Sequence, residues 1–135
     1  PYSSGKETAK YIEAKGWQDF PIFATRDSEV STVAGYLDRE FYIPELQDFG
    51  SYVQWNNRIE VYSNKILDEV KVYLNKFPEV EKLLLILSKR SAVKNLEIGD
   101  SISFDKFTLT ADKKFEDSFH TSEFFYLYWV ERMIN

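Results

Sequence analysis

The stretch from Phe20 to Pro44, FPIFATRDSEVSTVAGYLDREFYIP, decides how this chain reads. An apolar run, Phe20 to Ala24, opens it, and a second, Phe41 to Ile43, closes it. Between them Val30, Val33, Ala34 and Leu37 recur at the i, i+3, i+4, i+7 spacing of a helix with one buried face. Asp27 or Ser28 can cap that helix with a side-chain oxygen, and the charge of Glu29 suits its positive end. Strand, helix and strand in so short a span predict a βαβ unit with parallel strands and a right-handed crossover. On this nucleus the expected fold class is α/β. The expectation is a single domain over residues 1–135, with a mostly parallel central sheet flanked by helices and a C-terminal antiparallel hairpin.

Toward the amino end, Ser4-Gly5-Lys6-Glu7 fits a capping box that opens a helix with Ala9, Ile12 and Tyr11 as candidates for its inner face. Gly16 follows as the residue that ends a helix in a left-handed conformation. Toward the carboxyl end, ELQDFG after Pro44 reads as a loop. Ser51 to Trp55 and Arg58 to Tyr62 read as two short strands about Asn56-Asn57, or the first alone as a strand. Ser63 or Asn64 caps a helix whose inner face is Ile66, Leu67, Val70, Tyr73, Leu74 and Phe77, and Pro78 stops it. Val80 to Ser88 then reads as a strand covered on both faces. Ile102, Phe104, Phe107 and Leu109 alternate with polar neighbours around Asp105-Lys106, the pattern of a hairpin. Phe124 to Val130 suits a final strand better than an amphipathic helix, because Phe, Tyr, Trp and Val fit a pleated surface.

With 135 residues, 44% of them hydrophobic and 29% charged, the chain has the size and balance of one globular domain. A net charge of −5 argues against nucleic acid as a main partner, since phosphate binding needs a basic face. The pairs Lys89-Arg90 and Lys113-Lys114 read as solvated surface. Without cysteine there is no disulfide and no thiolate metal site. No window reaches the ~18 apolar residues of a membrane-spanning helix. Because the chain opens on Pro1 rather than methionine, it reads as a piece of something longer. The unusual feature is the aromatic content, 11 Phe, 9 Tyr and 3 Trp. Core packing absorbs most such residues, and a ligand face of Tyr and Trp, as on sugar-binding surfaces, is the sharper alternative.

No catalytic motif stands out. His120 is the single histidine, so triads and paired-histidine metal sites lack their partners, and it reads as a surface or turn residue. The five glycines form neither a dinucleotide-binding pattern nor a phosphate-binding loop, and no cofactor is expected. Asp100, Asp105, Asp112, Glu116 and Asp117 do not follow a calcium-loop spacing. The best-placed carboxylate is Asp27, just past the carboxyl end of the first strand, where open α/β sheets bind ligands. The candidate pocket is therefore Arg26, Asp27, Tyr36 and Trp55, set against the plainer reading in which Asp27 only caps a helix.

Four phrases together carry a family resemblance: TAKYIEAKG at Thr8 to Gly16, the block from Arg26 to Glu45, DFGSYVQWNNR from Asp48 to Arg58, and SEFFYLYWV from Ser122 to Val130. The combination resembles the soluble carboxyl-terminal region of bacterial multi-spanning membrane proteins related in layout to glycosyltransferases that use lipid-linked sugars. The resemblance implies a small α/β domain on the extracytoplasmic side of the membrane, attached to the membrane-embedded remainder of the same polypeptide. It further implies an accessory role, holding an acceptor carbohydrate or a lipid-linked sugar. The acidic catalytic residues of such transferases lie in loops near the membrane, so none carries over to this stretch. Two other functions stay open: an acidic interaction protein, such as an immunity protein against a basic nuclease toxin, and a hydrolase or transferase centred on Asp27.

Overall fold

The computed structural model describes residues 4–24, 37, 41–43, 48–50, 63–89, 92–116 and 124–134. Helix α1 spans Ser4–Ala14 and helix α2 spans Ser63–Lys76. Seven strands follow in chain order: β1 Ile22–Ala24, β2 Phe41–Ile43, β3 Asp48–Gly50, β4 Lys82–Leu87, β5 Ser101–Phe104, β6 Phe107–Phe115 and β7 Phe125–Arg132. They form one sheet in the order β3-β2-β1-β4-β7-β6-β5.

The expectation of a mostly parallel sheet flanked by helices is overturned: the sheet is mixed and mainly antiparallel. Among the described residues, only β1 with β2 and β1 with β4 pair in parallel. The pairs β2–β3, β4–β7, β6–β7 and β5–β6 are antiparallel, and they include the longest ladders. The cause is in the connections. A parallel return needs a crossover of a dozen or more residues, usually helical. Between β4 and β5 the described residues make only bends and turns, and β5 joins β6 through the two residues Asp105-Lys106. Asp105 takes the left-handed conformation such a turn requires, at φ 52°. The hairpin forces antiparallel pairing.

Other local expectations shift. ELQDFG contributes β3 rather than a loop alone, because Asp48–Gly50 pairs along β2. Of the helix expected between Val30 and Leu37, only Leu37 is among the described residues, and it is helical. The strands expected at 51–55 and 58–62 lie outside the described residues. Ser4 sits inside the first turn of α1 with its buried Oγ unbonded, so it does not act as the cap of a capping box. Its carbonyl instead accepts from the Thr8 hydroxyl at 2.6 Å. The buried stripe Ser4, Gly5, Thr8, Ala9, Ile12 is mostly small, which lets α1 lie close on the sheet.

Alternation along β4 splits the core into two layers, since successive strand residues point to opposite faces. Leu84 and Ile86 join Ala9 and Ile12 of α1, Ile22, Leu127 and Trp129, and Leu37 packs against this layer. Leu83, Leu85 and Leu87 join Val70, Tyr73 and Leu74 of α2, Phe23 and Val130. Among the described residues, α1 thus covers one face of the sheet around β4 and α2 the other. At about 1.5–3 kcal/mol for each fully buried large side chain, Leu83 to Leu87, all at 0% exposure, form the centre of the stability. No described helix is long and apolar enough to cross a membrane.

Candidate functional site

Arg26, Asp27, Tyr36 and Trp55 all lie outside the described residues, as does His120. Among the described residues, no group of three His, Asp or Glu side chains is placed to hold a metal ion. The described surface with the most distinctive chemistry lies elsewhere, where the end of α1 meets β6 and β7.

It begins with how α1 stops. Gly16 adopts φ 73°, its N–H donates to Glu13 O at 2.9 Å, and the N–H of Trp17 donates to Ile12 O at 3.0 Å. This pair of bonds is the Schellman end of a helix. It turns the chain so that Trp17 and then Phe20 fold back against β7. The second element is β6. Its register against β7 slips between Ala111 and Lys113, which leaves Asp112 as an extra residue in a bulge. A bulge breaks strict alternation, and here Asp112 and Lys113 both reach Tyr11: the Tyr11 hydroxyl donates to Asp112 Oδ2 at 2.9 Å, and Lys113 Nζ stands 5.8 Å from the ring centroid.

Around this junction five aromatic rings form a continuous ladder. Tyr11 meets Phe115 at 5.6 Å and Trp17 at 5.7 Å. Trp17 meets Trp129 at 4.7 Å, and Phe20 meets Trp129 at 5.2 Å. All four contacts are edge-to-face, the geometry that sets the positive edge of one ring on the negative face of the next. Trp129 and Phe115 are buried, whereas Tyr11, Trp17 and Phe20 are half-buried and present part of their rings to solvent. Lys15 Nζ lies 5.6 Å from Tyr11 and 5.9 Å from Trp17. Lys82 Nζ lies 4.8 Å from Phe20 and 4.6 Å from Trp129. None of Lys15, Lys82 and Lys113 has a carboxylate within ion-pair distance among the described residues, whose ion pairs are Lys71–Asp68 and Lys114–Glu116.

Beyond Trp129 the same face of the sheet becomes a strip of hydroxyls. Thr110 lies opposite Trp129 and Thr108 opposite Glu131, while Ser101 and Ser103 lie opposite Thr110 and Thr108. Residues directly opposite share a face, and Ser101 Oγ and Thr110 Oγ1 are hydrogen-bonded at 2.7 Å. Beside Phe20 and Lys82 a groove of about 840 Å³ opens between the loop at Glu79 to Glu81 and the end of β7 at Glu131 to Ile134. Burial first, and then the Asp112 carboxylate, push the Tyr11 hydroxyl up to about 12, so the phenol stays neutral into the alkaline range.

A smaller cavity of about 190 Å³ lies on the same sheet half, lined among others by Val93, Leu96, Tyr126 and Tyr128. Its two tyrosine hydroxyls are committed: Tyr128 OH accepts from Val93 N–H at 3.2 Å, and Tyr126 OH donates to Glu116. Burial raises both hydroxyls above the ordinary tyrosine value, with Glu116 adding to the effect at Tyr126.

The aromatic surplus suggested a ligand face of Tyr and Trp without naming its rings; the described face is built from Tyr11, Trp17, Phe20 and Trp129. The usable signals were Tyr11 and Trp17 straddling Gly16, and Trp129 within an alternating strand. The bulge at Asp112 leaves no mark in the local pattern. Compared with protein-family models, curated proteins and solved structures, the chain finds no match.

Proposed function

We propose that this chain is a carbohydrate-binding accessory domain without turnover of its own, carried on the extracytoplasmic side of a membrane-bound, glycosyltransferase-like protein. The observation that carries the binding half is the junction of the half-buried rings of Tyr11, Trp17 and Phe20 with the Asp112 carboxylate and the Ser101, Ser103, Thr108 and Thr110 hydroxyls. Sugars present flat C–H faces and a rim of hydroxyls. They are held by apolar ring area beside a few placed polar groups. The accessory half rests on the resemblance of the phrases at Thr8 to Gly16, Arg26 to Glu45 and Asp48 to Arg58.

The binding half is tested by titrating the 135-residue chain with a panel of neutral and anionic oligosaccharides and following tryptophan fluorescence. Saturable binding that Trp17→Ala weakens at least tenfold is the expected result. Saturable binding that Trp17→Ala leaves unchanged would place the ligand elsewhere and sink this site. The accessory half is tested by the full open reading frame, which should encode apolar helix-length segments before Pro1; a reading frame without them rejects it.

A further inference from the structure

Resting on the reading of this face as a carbohydrate site, we infer that the sugar it takes is anionic, a uronate or a sugar phosphate, held through Lys15, Lys82 and Lys113. The chain carries a net charge of −5, yet three lysines converge on one ring ladder with no carboxylate within ion-pair distance among the described residues. Lys82 makes the point most sharply. Glu131 lies directly opposite it across β4 and β7, but Nζ sits against the rings of Trp129 and Phe20. An ammonium resting on a ring keeps N–H donors turned away from the ring, open to an anion. Lys113 is brought to the same ladder by the bulge at Asp112, whose own carboxylate accepts the Tyr11 hydroxyl. A neutral sugar gains little from three cations at the ring faces it would stack on. A negatively charged one turns them into charge-assisted hydrogen bonds.

The spacing suits an oligosaccharide. Lys113 pairs with Leu127 and Lys82 with Glu131, on the strands to either side of β7, so the two lysines stand four residues apart along β7 and two strands apart across it, roughly 16 Å between their backbones. Beyond Lys82 the groove is lined by Glu79, Glu81 and Glu131, which repel a negative charge, so the anionic units lie over the ring ladder between Lys82 and Lys113.

The test titrates the intact chain at low salt with trigalacturonate, glucose 1-phosphate, neutral maltotriose and inorganic phosphate, read by tryptophan fluorescence. One of the two anionic sugars should bind roughly tenfold tighter than maltotriose, and which one does identifies the source of the charge. Lys82→Gln and Lys113→Gln should each weaken it about two- to fivefold and reduce its salt dependence. Glu131→Gln, by removing the nearby negative charge, should strengthen it, and Lys71→Gln on α2 should change nothing. Maltotriose binding as tightly as the anionic sugars, without dependence on either lysine, overturns the anionic inference and leaves the carbohydrate reading standing. Inorganic phosphate binding as tightly as either anionic sugar, or no sugar binding at all, overturns both.

Discussion

Arg132 shows how much one side chain can hold. Its guanidinium donates to Val80 O at 2.7 Å, to Phe77 O at 3.2 Å and to Leu74 O, and it lies 5.5 Å from the Phe107 ring centroid. The last carbonyls of a helix have no partner within it, so Arg132 ties the end of α2 to β7. Arg132→Ala should lower stability by about 2–4 kcal/mol in urea denaturation, because it takes the guanidinium donor from Leu74 O and Val80 O, while Phe77 O keeps the Val80 N–H. Arg132→Lys should recover only part of that, lacking the planar fork. Tyr11 gives a pH signature. Its folded value, about 12, lies above the ordinary 10, so burial and Asp112 favour the neutral phenol. The stability it contributes is complete below pH 10 and is lost as pH rises from 10 toward 12. Tyr126 and Tyr128 are raised as well and act in the same direction. Urea midpoints measured between pH 8 and pH 11.5 should fall above pH 10, and Tyr11→Phe should fall less steeply than the parent. An equal fall in Tyr11→Phe would remove Tyr11 from the account.

Among the elements, α1 ends as its residues predict. Gly16 sits at φ 73°, and a Cβ added there would meet no heavy atom of the described residues within 4 Å. Gly16→Ala would therefore carry a backbone cost alone, about 1–2 kcal/mol for a left-handed residue with a side chain. The expected loss in Tm is about 3–8 °C, with Gly16→Asn losing less; an unchanged Tm would mean the turn can relax. The inner face of α2 was equally readable. Val70, Tyr73 and Leu74 are buried, with Leu67 and Phe77 packed beside them, as the helical spacing requires. The hairpin of β5 and β6 forms at Asp105-Lys106, where the alternation placed it. Strand β7 runs Phe125–Arg132, in keeping with its aromatic and β-branched residues. What these elements do not carry is the identity of their neighbours.

For the whole molecule, β4 is the seam. It pairs in parallel with β1 and antiparallel with β7, and its two faces feed the two core layers. Leu85→Ala should cost about 2–5 kcal/mol, a large share of the roughly 5–15 kcal/mol that holds a domain together. Both halves should melt together, seen as coincident loss of near-ultraviolet and far-ultraviolet circular dichroism. A residual folded half would show the two parts of the sheet to be independent. From the residues alone came the short-range facts: where α1 stops, which face of α2 is buried, that Leu83 to Leu87 are covered on both sides, and where a hairpin turns. These follow from backbone preferences and from spacing within one element. Tertiary structure alone decided that β7 and β6 return antiparallel beside β4, that a bulge presents Asp112 and Lys113 to α1, and that Tyr11 bonds a residue 101 positions away. Those choices belong to pairings between distant segments, where the side chains of both partners and the lengths of the links between them set the energy, and no periodicity within either segment records the outcome.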